Sequence, residues 1–236
     1  MNIIITGASR GIGRETAKIF AANKENLIIG ISRNKDKLHN LMIECRDKGA
    51  GKIIPLVFDL ENIKKNEKKI YDFVIGHMKS VDILINNAGF LQKTLFTETS
   101  NDTAERTFNI NFFAPAQLIK LLLPLMGKGK RSHVLNISSM GAVQGSAKFP
   151  GLAYYSASKA AIANLTECLA EEYKEHNTAF NCLALGSANT EMFKEAFPGY
   201  KAAVSAQEMA VLVSDFAVNG QKYFNGKIIP VSVNTP

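Results

Sequence analysis

The first eighteen residues constrain the fold more than any other part of the chain. Asn2-Ile3-Ile4-Ile5-Thr6 is an apolar, β-branched run, and Gly7-Ala8-Ser9-Arg10-Gly11-Ile12-Gly13 follows it without a spacer. Arg14-Glu15-Thr16-Ala17-Lys18 then supplies residues suited to a helix. Strand, glycine turn and helix in that order let a backbone free of Cβ atoms turn tightly and aim amide N–H groups and a helix N-terminus at a pyrophosphate. An ordinary βα turn that happens to hold glycines is the competing reading. Three glycines at this spacing, at the first βα junction, favour a dinucleotide site.

The same alternation continues along the chain. Strands are predicted over Asn2–Thr6, Leu27–Ile31, Ile53–Phe58, Val81–Ile85, Val134–Ser138, Phe180–Leu185 and Lys227–Val231. Helices are predicted near Gly11–Ala22, Lys35–Lys48, Ile63–His77, Thr103–Met126, Tyr154–His176 and Ala206–Phe216. This is the pattern of βαβ units around a parallel sheet, and the continuous apolar strands imply helices on both faces. There is no internal repeat, low-complexity tract or Pro/Ser-rich linker, so one domain over residues 1–236 is expected. Lys64, Lys65, Lys68 and Lys69 read as the solvated side of one helix.

Composition narrows the functional classes. Lys and Arg number 28 against 21 Asp and Glu, a net charge of +7, which suits nucleic acid, phosphorylated ligands or an acidic partner equally. No helix-turn-helix, zinc or RNP signature accompanies it, so no nucleic-acid partner is expected. The longest apolar stretch, Leu118–Met126, is interrupted by Lys120 and Pro124, and falls short of the roughly 20 residues of a membrane span. The glycine motif starts at Thr6 and leaves no room for a cleavable leader, so a cytoplasmic location is expected. Cys45, Cys168 and Cys182 form no CxxC pair, and His39, His77, His133 and His176 have no metal-ligand spacing. We expect no metal, and read the thiols as small core residues.

Three further segments carry chemistry: Asn86-Asn87-Ala88-Gly89, Asn136-Ile137-Ser138-Ser139 and Tyr155-Ser156-Ala157-Ser158-Lys159. Tyr155 and Lys159 stand four apart, on one face of a helix and about 6 Å along its axis. A phenol with a pKa near 10 is a poor acid–base group at neutral pH, and an adjacent ammonium lowers it by favouring the phenolate. Tyr154 has Ser158 four residues on, so the spacing selects Tyr155.

The glycine loop TGxxxGxG, NNAG, NISS and YSASK, in that order, resemble the short-chain dehydrogenase/reductase family in its shorter branch, similar to 3-oxoacyl-carrier-protein reductases. The resemblance covers essentially the whole chain. It implies a single doubly wound Rossmann domain, with a mostly parallel seven-stranded sheet, helices on both faces and a short substrate lid at about 188–205. It further implies a reduction in which Tyr155 gives its proton to a carbonyl oxygen while NADPH delivers hydride. Lys159 holds the nicotinamide ribose and tunes Tyr155, and Ser139 hydrogen-bonds the same oxygen. Asn111 matches the family's proton-relay asparagine, or is an interior amide kinking a long helix; Asn109 is the alternative position.

For the cofactor, the resemblance implies contacts from Gly7, Ser9, Arg10, Gly11, Ile12, Gly13, Asn87, Ala88, Gly89, Tyr155, Lys159, Gly186, Ala188 and Thr190. The second strand ends in Ser32-Arg33 rather than in a carboxylate, and Arg33 with Arg10 favours the 2′-phosphate of NADP(H). Asp59 matches an adenine contact and equally suits a helix N-cap. Leu185 stands where the family usually has proline. The Lys148–Gly151 loop before Tyr155 is longer than usual, and no glycine pair follows the last strand.

The expected function is NADPH-dependent reduction of a carbonyl, with a 3-oxoacyl thioester, free or carrier-bound, as the leading substrate. Pterins, diketones and keto-sugars are alternatives. The basic cluster Lys128, Lys130 and Arg131 precedes the fifth strand and so lies at the wrong sheet edge to guide a carrier. Packing and covering substrate are both open for Met192, Phe193, Phe197, Pro198 and Tyr200. A non-catalytic NADPH sensor is the alternative of another class. A homodimer or homotetramer built on the Thr103–Met126 and Tyr154–His176 helices is the expected assembly.

Overall fold

The computed structural model describes residues 1–47 and 51–233. Its elements in chain order are β1 (Asn2–Thr6), α1 (Gly11–Ala21), β2 (Leu27–Ser32), α2 (Lys35–Asp47), β3 (Lys52–Val57), α3 (Glu67–Ile75), β4 (Ile83–Asn86), α4 (Asn101–Phe108), α5 (Ala114–Leu122), β5 (Ser132–Ser139), α6 (Ala153–Glu172), β6 (Thr178–Leu185), β7 (Ala188–Asn189), α7 (Glu191–Ala196), β8 (Val204–Ser205), α8 (Ala206–Asn219) and β9 (Lys227–Val231). Seven strands form one sheet in the order β3-β2-β1-β4-β5-β6-β9, with every pairing parallel.

Why the strands lack polar residues is visible in β1. Ile3 and Ile5 join Phe20, Leu38, Met209 and Val213 on one face, whereas Ile4 joins Ile70, Leu118, Leu122 and Phe180 on the other. Each isoleucine is fully buried and contributes roughly 1.5–3 kcal/mol. A period of two persists in the geometry although both faces need apolar side chains. The strand order changes direction at β1, with β2 on one side and β4 on the other. A crevice at the carboxyl ends of β1 and β4 follows from that reversal.

Several expectations need correction. The helix expected over Ile63–His77 is two pieces, a 3₁₀ segment Leu60–Lys65 and α3, separated at Asn66 with φ −135°. Lys64 and Lys65 therefore lie on a different segment from Lys68 and Lys69, although all four are exposed as expected, and the Lys64 ammonium lies 4.7 Å over the Phe113 ring. The Thr103–Met126 helix resolves into α4, a π-helical turn Asn109–Phe113, α5 and a 3₁₀ turn Leu123–Leu125. Pro115 has no N–H for the Asn111 carbonyl four residues back, so a regular α-helical bond cannot form there. The span Asn101–Leu125 is, contrary to expectation, long and apolar enough by length and composition to cross a membrane; half of its most apolar window is buried in the protein. Cys168 is exposed and not a core residue, because it lies on the outer face of α6; Cys45 and Cys182 are buried. The paired β7 and β8 were not foreseen. Lys48 and the Asn234–Pro236 tail lie outside the described residues.

Buried His133 on β5 yields a pH prediction. Its Nδ1–H donates to the Ala217 carbonyl (2.9 Å), so its Nε2 accepts from Asn181 Nδ2 (3.0 Å) and the ring is neutral. Burial pulls its pKa from 6.5 to about 4. As pH falls through 6.5 the unfolded chain takes up a proton that the fold refuses, so stability drops until about pH 4, by roughly 3 kcal/mol. Urea unfolding between pH 7 and 4 should show this slope, and His133→Gln should flatten it.

Candidate active site

The glycine loop leaves β1 at Thr6 and is tied to the loop after β4. Thr6 Oγ1 accepts from the backbone N–H of Asn87 (3.0 Å) and Ala88 (2.9 Å), while Asn87 Nδ2 donates to the Thr6 carbonyl (2.9 Å). Glycine is required where these loops meet. Gly7 has φ +71°, and a Cβ on it would stand 2.9 Å from Ala88 Cα; one on Gly13 would stand 2.5 Å from the Gly7 carbonyl oxygen and closer still to Asn87 Nδ2. Ser9 is buried and accepts a hydrogen bond from Ser32 Oγ at 2.7 Å. Ile12 packs into the core beneath the loop.

A groove of about 420 Å³ runs along this loop, lined in part by Ser9, Arg10, Gly11, Lys37, Asn189 and Glu191. Thr190 borders it too: its Cγ2 is 3.4 Å from where a Gly11 Cβ would lie, and its Oγ1 caps α7 by accepting from Phe193 N–H at 3.2 Å. Gly186 donates its N–H to the Val231 carbonyl at 2.7 Å, and Ala188 is buried. Leu185, in place of proline, completes the β6–β9 pairing opposite Val231. Asn189 Oδ1 is buried without a hydrogen-bond partner. The positive-φ turns at Gly7 and Gly11, the excess of cationic over acidic side chains along the groove and an unsatisfied buried acceptor fit a dinucleotide.

The residues expected at the adenosine end have partners of their own. Arg10 Nη1 pairs with Glu191 (3.1 Å) and Glu195 (3.0 Å) on α7. Arg33 Nη1 lies 3.9 Å from Asp59 Oδ2. Asp59 Oδ1 also accepts from Glu61 N–H (3.2 Å), capping the 3₁₀ segment.

At the carboxyl end of β5 the Ser139 hydroxyl lies near enough to the buried Tyr155 phenol to oppose the rise that burial imposes on its pKa, and accepts from Gly141 N–H at 3.2 Å. One turn along α6 the Lys159 ammonium is buried and donates to the Ile137 carbonyl at 2.8 Å, while Ser138 Oγ donates to the Lys159 carbonyl at 2.7 Å. Burial pulls Lys159 down to about 8, with Cys182 acting against it. The expectation that Lys159 lowers Tyr155 is corrected. Burial raises the phenol pKa, the neighbouring Ser139 hydroxyl opposes that rise, and the ammonium is turned toward Ile137.

Asn111 is buried in the π-helical turn. Its Nδ2 donates to the Phe90 carbonyl (2.9 Å) and Ser158 Oγ (3.0 Å), and its Oδ1 accepts from Phe90 N–H (2.8 Å). It thereby holds the loop after β4 against α6, and Gly89 sits between it and Lys159, where a Cβ would be 3.6 Å from Asn111 Oδ1 and 3.5 Å from Lys159 Nζ. Asn109 lies instead beside a surface pocket with Phe108 and Phe113. The basic cluster is indeed at the far edge: Lys130 pairs with Asp82 at 3.3 Å, ahead of β5.

Sequence reasoning missed three features. Asn86 Nδ2 donates to Asn136 Oδ1 (2.8 Å) and Asn136 Nδ2 to Thr166 Oγ1 (2.9 Å), a buried link between β4, β5 and α6; the asparagines opening NNAG and NISS were the signal. Lys37 and Glu191 border the groove, and Glu195 pairs with its Arg10, with no local pattern to mark them. Phe149 of the longer loop meets Phe197 edge-on (centroids 5.9 Å), and Lys93 Nζ lies 4.7 Å over that same ring.

Fold and cluster together define a class: a doubly wound, parallel-sheet protein with a glycine-rich first βα loop and a Ser–Tyr–Lys group at the same sheet edge. The family model described as short chain dehydrogenase matches residues 1–201, and the chain belongs to that family. It is 33% identical over 198 residues to the dehydrogenase/reductase SDR family member 7B of Bos taurus, covering 80% of this chain but 58% of the relative. It thus spans under two thirds of the length of such relatives. It is 27% identical over 239 residues to the 3-oxoacyl-[acyl-carrier-protein] reductase of Thermotoga maritima, covering 97% of this chain and 94% of that one. A short chain dehydrogenase from Shigella flexneri, solved with NADP, superposes with a TM-score of 0.85 at 25% identity, covering 97% and 95% of the two chains.

Proposed function

We propose that the chain is an NADPH-dependent carbonyl reductase whose leading substrate class is a 3-oxoacyl thioester. The observation that carries this reading is the Ser139 hydroxyl beside the buried Tyr155 phenol, with the Lys159 ammonium one helical turn away next to Gly89. When bound, the dinucleotide supplies hydride. The raised phenol pKa keeps a proton on the Tyr155 oxygen at neutral pH, and Tyr155 donates it to the substrate's carbonyl oxygen. Ser139 hydrogen-bonds that same oxygen and stabilises the charge developing there. Lys159 orients the nicotinamide ribose, and Asn111 positions the loop that carries Gly89.

Similarity to the Thermotoga maritima reductase over nearly the full chain supports the thioester class. Arg10, Arg33 and the absence of a carboxylate at the end of β2 support NADPH over NADH, as does the NADP of the Shigella flexneri structure. Residues 188–205, with Phe149 and Phe197 in contact, act as the lid. A cytoplasmic location and self-association through α4, α5 and α6 belong to the same reading.

An NADPH-oxidation screen of acetoacetyl thioesters, diketones, pterins and keto-sugars tests it. The thioesters should turn over fastest; preference for a pterin or keto-sugar moves the substrate class, and binding without any turnover favours a sensor. The pH profile gives a second check. Lys159 is charged below about pH 8 and loses its charge above it, so kcat/KM for reduction should fall as pH rises through 8. Lys159→Met should remove that inflection along with most activity.

A further inference from the structure

We propose that Lys37 is a further residue holding the cofactor's 2′-phosphate, and that the Glu191 carboxylate competes with that phosphate for the Arg10–Lys37 pair. This rests on the NADPH reading above. The Glu191 carboxylate bridges two cations: its Oε2 lies 3.1 Å from Arg10 Nη1 and 3.1 Å from Lys37 Nζ, and its Oε1 lies 3.2 Å from the same ammonium. An anion is therefore already seated between the tip of the glycine loop and the first turn of α2. Both cations hold Glu191 below the usual carboxylate range.

The position decides which phosphate belongs there. The backbone of the glycine loop faces the pyrophosphate, whereas Lys37 lies on α2 directly after β2, at the adenosine end of the groove. Arg33, the residue that sequence favours for the 2′-phosphate, is 54% exposed and loosely paired with Asp59 at 3.9 Å. Arg10 and Lys37 provide the tighter two-cation locus.

Displacement of Glu191 is feasible because the bridge is solvent-washed, with side-chain exposures of 40% for Arg10, 44% for Lys37 and 51% for Glu191. Such exposed pairs are weak, and a phosphate of nearly two negative charges competes well with one carboxylate. Glu195, 3.0 Å from Arg10, remains as a second tie to α7. Glu191 thus sets the cofactor preference by competing for the 2′-phosphate site, and NADH leaves the bridge intact.

Calorimetric titration of NADPH, NADH and 2′,5′-ADP into wild type, Lys37→Ala and Glu191→Gln tests this. Lys37→Ala should weaken NADPH and 2′,5′-ADP about five- to tenfold and leave NADH within twofold. Glu191→Gln should tighten NADPH and 2′,5′-ADP about threefold without changing NADH. An unchanged NADPH/NADH ratio in Lys37→Ala, or equal weakening of both dinucleotides in Glu191→Gln, overturns the inference while leaving the NADPH reading intact. Wild-type protein that binds neither NADPH nor 2′,5′-ADP overturns both.

Discussion

Tyr155→Phe should lower carbonyl reduction roughly 10³-fold while NADPH affinity stays within about twofold, the magnitude expected when a positioned general acid is removed. Phenylalanine keeps the ring and its packing on α6. It removes only the hydroxyl that lies beside Ser139, at a cost of no more than about 1 kcal/mol in stability. Ser139 retains its bond from Gly141 N–H, so the β5 end should keep its shape. Steady-state kinetics and fluorescence titration separate the two effects: turnover disappears and binding persists. Residual activity within tenfold of wild type would remove Tyr155 from its assigned place as proton donor.

Gly13→Ala should abolish dinucleotide binding and destabilise the fold by roughly 1–3 kcal/mol, the range for forcing a methyl group into a filled site. The added Cβ falls 2.5 Å from the Gly7 carbonyl oxygen and against Asn87 Nδ2. Backbone cannot move there without lifting the glycine loop, and the Asn87 amide cannot move without losing its bond to the Thr6 carbonyl. Gly145→Ala is the control. Gly145 has φ +79° with nothing within 4 Å of its added Cβ, so it carries only backbone strain of about 1–2 kcal/mol and should leave binding intact. Thermal unfolding and NADPH titration of both variants distinguish a blocked loop from general destabilisation.

The seven-strand parallel sheet was legible because both faces are covered, which forces runs such as Ile3-Ile4-Ile5 and Ile53-Ile54 to be apolar throughout. The site was legible where a local pattern dictates geometry: glycines at a βα turn, and Tyr155 with Lys159 four residues apart. Helix interruptions were harder to see. The break at Asn66 and the π-helical turn at Asn111, the latter set by Pro115, fall within stretches whose apolar spacing still reads as helix. Ionisation was also illegible, because the raised phenol and the lowered ammonium arise from burial, which spacing alone does not record. Glu191 meets Arg10 across 181 residues, a pairing that depends on where β6 delivers α7 and on nothing local.

Deuterium transfer from NADPH deuterated at both C4 positions tests the central claim most directly. With the wild-type protein and the best carbonyl substrate of the screen, one deuterium should appear at the new carbinol carbon, and Tyr155→Phe should suppress it. NADPH that binds tightly yet never yields a deuterated alcohol from any thioester, diketone, pterin or keto-sugar would contradict the assignment of this Ser139–Tyr155–Lys159 cluster to carbonyl reduction.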